Sequence, residues 1–433
     1  MLREVFEKGK RATATLTEQS LGLSPPDVGL MRELTLGVLR WRTALDQELS
    51  SASRFPLSRL APNLREILEV ALHQIRFLDR VPHHAAVDEA VRHARASGGV
   101  RAAKFVNAVL RTLLRAPDHK SQITNHKFSD EDSPAQLALH FSHPEFLVAR
   151  WLERFGPETT RRILESDNAS SPLDLMTNTR RGDRDSLAAE LRREGIETEA
   201  SPISPLGLVV TRGNPLRSAA FDSGRFTIQD VGAQALPLLL PAGETLIDLA
   251  AAPGGKSFAA LLLGRAKHTV AIDRSVSRLQ LLCENRRRLG IGEVRPCAAN
   301  IGNLPLTAGE SDRVLFDAPC SGTGTLRKNP EIRYRVTPPA IDRLAAAQRE
   351  GLRFAARHLR PGGFLLYSTC SLEREENEAV VDDVLAADAT LELSPIEVPS
   401  ALAPFAAGAR FQILPAPSSD GFTAHLLRRR REP

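Results

Sequence analysis

The chain has 433 residues, with 57 Lys and Arg against 52 Asp and Glu, a formal net charge of +5 at pH 7, and 42% hydrophobic and 25% charged residues. This is the composition of a folded globular protein and excludes global disorder and fibrous architectures. The longest uninterrupted apolar run, Phe258 to Leu263, is far short of the roughly 20 residues that span a bilayer, so no membrane segment is expected.

The opening residues, MLREVFEKGKRATATL, include acids and no apolar stretch, unlike a secretory signal, and the expected compartment is the cytoplasm. The positive excess lies near the N-terminus, where residues 1–130 hold 20 basic and 14 acidic side chains. Apolar residues there recur with a helical period over Pro25–Arg42, Pro62–Leu78, His84–Ala96 and Arg101–Leu114, separated by Pro and Gly. The reading is a helical bundle. Its charge suits a nucleic-acid partner or an ordinary solvated helical surface, and charge alone leaves both open. His83 and His84 are expected as helix-start or packing residues rather than ligands.

Residues 117–135 are polar and aperiodic and are expected to form a linker. From Pro144 to Phe226, short helices (Phe146–Phe155, Asp185–Glu194) mix with short strands (Asp174–Thr177, Leu208–Val210), which suggests a small α+β unit. After Gln229, apolar runs of four to six residues alternate with helical segments, the pattern of a parallel sheet with crossover helices. No internal repeat is visible. The expected division is 1–130, 140–230 and 231–433.

Thr245 to Lys256, TLIDLAAAPGGK, reads as a buried strand, a small-residue turn and a helix starting near Ser257. Gly254 and Gly255 would let a ligand approach the backbone at the strand's C-terminal end. The stretch lacks both G-x-G-x-x-G and the phosphate-loop pattern, which argues against NAD and ATP. The next strand, His268–Ile272, ends in Asp273. An acid there can accept hydrogen bonds from a ribose, or else Asp273 or Ser275 simply caps the helix running to Leu289. Arg313–Phe316 leads into DAPCSGTG (317–324), and Phe364–Ser368 into Thr369-Cys370-Ser371. Parallel strand ends point the same way, so Asp317, Cys320 and Cys370 are expected to share one cleft with the ligand. The four cysteines, Cys283, Cys297, Cys320 and Cys370, form no C-x-x-C pair and fit neither a disulfide framework nor a zinc site. No metal is expected.

Taken together, AAAPGGK, DAPCSGTG with the following LRKNPEIRYR, and YSTCSLEREENE resemble the RNA cytosine-C5 methyltransferases that use S-adenosylmethionine. VPHHAAVDEAVRHA, FVNAVLRTLLR and RELTLGVLRWR resemble the NusB-like domain of bacterial 16S rRNA methyltransferases of the RsmB (Sun/Fmu) type. QDVGAQ at 229–234 and the closing DGFTAHLLRR fit the same family, so the resemblance covers nearly the whole chain. It implies a multidomain protein: an all-α NusB-like N-terminal domain that binds RNA, a small α+β connector, and an α/β Rossmann-like class I methyltransferase domain. It also implies methylation of cytosine C5 by a monomer, with 16S rRNA or the assembling small ribosomal subunit as partner.

Cytosine C5 is a poor nucleophile until a thiolate adds at C6. The resemblance assigns that attack to Cys370, release of the enzyme after methylation to Cys320, and the cytosine N3 and N4 edge to Asp317. It assigns Ala250, Ala251, Ala252, Pro253, Gly254, Gly255 and Lys256 to the methionine end of the cofactor and Asp273 to the ribose. A family acid near the adenine aligns with Asn300, which keeps a carbonyl acceptor and loses the charge. DLMTNTRR replaces the usual LRVN pattern but retains Asn178. The base for the C5 proton is left unassigned. Arg and Lys of the first 130 residues, with Arg327, Lys328, Arg333 and Arg335, are expected on phosphates. Three rival readings remain: methylation of a nitrogen or a small molecule, a catalytically impaired RNA-binding assembly factor, and exchanged roles for the two cysteines.

Overall fold

The computed structural model describes residues 1–115 and 132–431. Most of the expected linker, residues 117–131, lies outside the described residues. The chain forms two compact units, Met1–Ala169 with Leu326–Arg335, and Ser170–Thr325 with Val336–Pro433. No described helix is long and apolar enough to cross a membrane.

The first unit is helical: α1 (Leu2–Phe6), α2 (Ala12–Gln19), α3 (Pro25–Ala52), α4 (Pro62–Phe77), α5 (His83–Arg115), α6 (Pro134–His140) and α7 (Glu145–Asn168). Ser24 caps α3 by accepting a hydrogen bond from the Asp27 backbone N–H, and Pro25 begins the helix, where its missing N–H has no cost. The helical period places Leu39 and Leu49 of α3, Leu68 and Leu72 of α4, and Val106 and Leu110 of α5 in one apolar core. Gly99, at φ +72°, breaks α5 between the two periodic stretches seen in the sequence. Gly156, at φ +77°, breaks α7 in the same way, but the helix resumes after Pro157 and reaches Asn168. The sequence reading stops this helix at Phe155 because Gly-Pro normally ends one.

Residues 326–335 belong to this unit, and here the phosphate-contact expectation is corrected for Arg327 and Arg333. Arg327 and Arg333 are buried. Arg333 donates to the carbonyls of Arg40 (2.7 Å) and Asp167 (3.0 Å) and to Asn168 Oδ1 (2.8 Å). Arg335 donates to the carbonyls of Val5 and Lys10. Tyr334 OH reaches the Leu39 carbonyl at 2.7 Å, and Glu331 accepts the Ala12 N–H at 3.0 Å. The Arg333 guanidinium is engaged by buried carbonyls of α3 and α7 and is not available to phosphates, whereas Arg335 is exposed and both of its carbonyl contacts use Nη2.

The second unit contains two sheets. The smaller is antiparallel, in the order β2-β3-β1-β4, from β1 (Asp174–Thr177), β2 (Glu197–Ala200), β3 (Gly207–Arg212) and β4 (Phe226–Ile228), with α8 (Arg184–Arg193) beside it. Buried Asn178, retained from the family pattern, donates to the carbonyls of Gly224 (2.9 Å) and Leu289 (2.8 Å), a structural role. The larger sheet contains β5 (Thr245–Leu249), β6 (His268–Asp273), β7 (Val294–Ala298), β8 (Ser311–Asp317), β9 (Leu359–Thr369), β10 (Leu391–Leu393), β11 (Ala406–Ala407), β12 (Arg410–Ile413) and β13 (Phe422–Arg429). Its order is β11-β12-β13-β9-β8-β5-β6-β7, with β10 on β13. β7, β6, β5, β8 and β9 are parallel, as the apolar runs indicate for β5, β6, β8 and β9, and β13 pairs antiparallel with β9. The crossover helices are α9 (Gly255–Leu262), α10 (Val276–Leu289) and α11 (Pro338–Arg357). The antiparallel edge makes the sheet mixed. Parallel β8 and β9 place Asp317 beside Ser368, which brings the DAPC and TC segments to the same sheet end.

Candidate active site

Side chains of β5 alternate between the two faces of the sheet. Ile247 and Leu249 join an apolar cluster with Phe316, and Asp248 between them is completely buried on the other face. Its Oδ2 accepts from Ser257 Oγ at 2.5 Å, whereas Oδ1 is buried without a hydrogen-bond partner among the described residues. Burial pushes this carboxyl up to about 7; Ser257 and Lys256 oppose the rise, and Asp317 and Asp273 add to it.

The chain leaves β5 through Ala250 in the left-handed region, at φ +61°. That conformation costs an L-residue roughly 1–2 kcal/mol. It then passes a cis Ala252–Pro253 bond and Gly254 at φ +104°, and enters α9. A Cβ on Gly254 would sit 2.6 Å from the Phe258 ring, so both backbone and space demand glycine there. This turn bounds a cleft of about 230 Å³ lined by Ala250, Ala251, Ala252, Pro253, Gly255 and Lys256, joined by Asp248, Asp317, Gln229, Arg278 and Asn285. Gly254 shapes the turn without lining the cleft. Asp248, Gln229, Arg278 and Asn285 are lining residues that the sequence reading does not single out. For Asp248 the available signal is a charged residue inside an otherwise apolar strand.

Asp273 ends β6 as expected and is almost fully buried. Its Oδ2 accepts the Ala252 N–H at 3.2 Å and lies 3.3 Å from Arg278 Nη1, and its Oδ1 accepts the Ser275 N–H at 2.9 Å. Ser275, not Asp273, is the N-cap of α10. Thus Asp273 supports the small-residue turn and does not itself line the cleft. Asn300, just beyond β7, is exposed; its Oδ1 accepts the Gly302 N–H at 3.3 Å, and it too lies outside the cleft lining.

At the ends of β8 and β9 the two motif cysteines meet, Cys320 Sγ lying 3.2 Å from Cys370 Sγ. Neither lines the cleft, although Asp317 does. Asp317 pairs with Lys256 Nζ at 2.6 Å and accepts from Ser368 Oγ at 2.9 Å. Burial opposes the charge on Lys256, yet Asp317, followed by Asp248 and Cys370, outweighs it and holds the ammonium above its ordinary value. The Cys320 thiol is pushed well above its usual range, first by its hydrogen bond with Cys370, then by burial and by the charges of Cys370, Glu376 and Asp317. Among the described residues, no group of three or more His, Cys, Asp or Glu is arranged to hold a metal ion.

Three family descriptions match in chain order: the NusB family over residues 1–115, the ferredoxin-like domain of RsmF/B-like methyltransferases over 143–217, and the 16S rRNA methyltransferase RsmB/F over 235–428. The chain is 34% identical to a probable ribosomal RNA small subunit methyltransferase B of Synechocystis, covering 84% of this chain and 82% of the relative. It is 32% identical to a probable ribosomal RNA small subunit methyltransferase B of Bacillus subtilis, over 94% and 92% of the two chains. A crystal structure of PH0851 superposes with a TM-score of 0.77 at 25% identity, covering 95% of this chain and 92% of its own. The expected fold class therefore holds, an all-α NusB domain, a ferredoxin-like connector and a methyltransferase domain, and the chain belongs to the RsmB/F family of 16S rRNA methyltransferases.

Proposed function

We propose that this chain, an S-adenosylmethionine-dependent rRNA methyltransferase, transfers the methyl group to C5 of a cytosine in 16S rRNA, with Cys370 as the attacking thiolate. The observation that carries this reading is the 3.2 Å cysteine pair at the ends of β8 and β9, next to the Lys256–Asp317 ion pair. The residues present suit the cofactor. Asp248 offers a buried carboxylate oxygen without a hydrogen-bond partner among the described residues, which fits the methionine ammonium, and Arg278 and Lys256 supply cations for its carboxylate. Ala250 to Lys256 would hold the methionine end in the cleft, and the cofactor would extend past that lining to Asp273 for the ribose and Asn300 for the adenine side. Bound there, S-adenosylmethionine supplies a methyl group on a sulfonium.

In this reading the Cys370 sulfur bonds to C6 of the ring, and the electron pair displaced from the C5–C6 double bond makes C5 nucleophilic. Asp317 holds the N3 and N4 edge, with Lys256 beside it, where charge develops on the ring. After C5 accepts the methyl group, a base removes the C5 proton, the C–H electron pair restores the C5–C6 double bond, and the C6–S bond breaks to return the Cys370 thiolate, with Cys320 assisting release. Reaching C5 requires an unpaired or flipped cytosine. A ribosomal RNA substrate puts the reaction in the cytoplasm.

The test is methyl transfer from labelled S-adenosylmethionine to 16S rRNA by the wild type, Cys370→Ala and Cys320→Ala. The expected result is loss of both product and covalent adduct in Cys370→Ala, and accumulation of adduct in Cys320→Ala. The reverse pattern would exchange the cysteines, and an active Cys370→Ala protein without adduct would overturn the thiolate mechanism.

A further inference from the structure

The residues that hold the two thiols in register lie behind the cleft. Glu376, in the motif that follows Cys370, is completely buried and does not line the cleft. Its Oε1 accepts from the Ser321 backbone N–H at 2.8 Å and from Gln348 Nε2 at 3.0 Å. Its Oε2 accepts from Ser371 Oγ at 2.6 Å and from Ser321 Oγ. Ser321 immediately follows Cys320 and Ser371 immediately follows Cys370, and their hydroxyls meet at 3.1 Å. The backbone around Glu376 is fixed as well. Tyr367 OH donates to its carbonyl at 2.6 Å, and Asn377 Nδ2 donates to the Ser371 carbonyl at 3.0 Å. Four donors therefore converge on one buried side chain that joins the two cysteine loops.

We propose that Glu376 is the positioning residue of the thiol pair: it ties the Cys320 and Cys370 loops together through Ser321 and Ser371, and it brings a negative charge to Cys320, so that Cys370 is the attacking sulfur. This rests on the reading that Cys370 attacks. Cys320 is held as a thiol by its hydrogen bond with Cys370, by burial, and by the charges of Cys370, Glu376 and Asp317. The Lys256 ammonium, in turn, interacts with Cys370. A carboxylate next to one sulfur and an ammonium next to the other polarise the 3.2 Å contact in one direction.

Glu376→Gln separates the brace from the charge. Its carbonyl oxygen still accepts from Ser321 N–H and Gln348, and its amide can donate to the two serine hydroxyls. The experiment is the pH dependence of iodoacetamide alkylation of each cysteine in the full-length protein, free of RNA and cofactor and resolved by mass spectrometry, alongside kcat and KM for methyl transfer. In Glu376→Gln the Cys320 midpoint should fall by about one pH unit, and kcat should drop about tenfold with little change in the KM for S-adenosylmethionine. Unchanged midpoints for both cysteines would overturn the proposal. So would a Glu376→Gln enzyme equal to wild type when only Glu376→Ala is impaired, because Glu376 would then be a structural brace alone. Shifted midpoints in a wild-type background that methylates no RNA would leave the thiol assignment standing and defeat the functional reading instead.

Discussion

Asp248 shows what burial does to one carboxyl in the cleft. Its ordinary value of 3.8 is raised to about 7 in the folded protein, so the native state holds a proton that the unfolded chain has already lost. Stability therefore falls as pH rises from about 4 to about 7 and stays lowered above that, a linkage of up to roughly 4 kcal/mol. Asp248→Asn should raise the melting temperature, with a larger gain at pH 8 than at pH 5, while weakening S-adenosylmethionine binding. A gain that did not change with pH would refute the linkage. Residue identity in the AAAPGGK, DAPC and TC segments was readable because small residues and paired cysteines at strand ends are unusual. Glu376 was not readable. It is one of four acids in LEREENE, and nothing along the chain separates the fully buried Glu376 from its neighbours.

Among the elements, the 326–335 segment departs most from expectation. Its arginines look like a solvated basic loop in sequence, yet Arg333 anchors carbonyls contributed by α3 and α7. Arg333→Met leaves those acceptors without their donor at a buried site, a loss of about 3 kcal/mol. Thermal unfolding and limited proteolysis of the helical unit should both show it, and the salt dependence of RNA binding should remain that of the wild type. A stable Arg333→Met protein with a reduced salt slope would restore the phosphate role. β5, β6, β8 and β9 and the helices that follow β5 and β6 are legible in local apolar runs, whereas β7, α11 and β13 are not. The pairing of β13 with β9 joins residues more than fifty positions apart.

At the scale of the whole molecule, the positive excess of residues 1–130 offers exposed cations to RNA phosphates, while buried Arg333 is engaged by carbonyls. Arg101, Lys104 and Arg111 are exposed on one face of the second half of α5, while Ala102, Val106 and Leu110 enter the core. Replacing all three by Ala should weaken binding of a 16S rRNA fragment and lower the slope of log affinity against log salt by about 0.7–0.9 for each phosphate that is no longer neutralised. An unchanged slope would move the RNA-binding surface elsewhere on the protein.

Periodicity and turn chemistry are local properties, and they were enough to establish a helical N-terminal bundle, the parallel strands β5, β6, β8 and β9, the small-residue turn, and the strand ends that carry Asp317, Cys320 and Cys370. Only the packed chain reveals that Cys320 and Cys370 touch, that Asp248 is an acid with a raised pKa, that Glu376 joins the cysteine loops, and that Arg333 faces Arg40 and Asp167. Each of these depends on burial and on a partner distant in sequence. A buried charge takes its chemistry from the groups packed against it, and the fold brings those groups together.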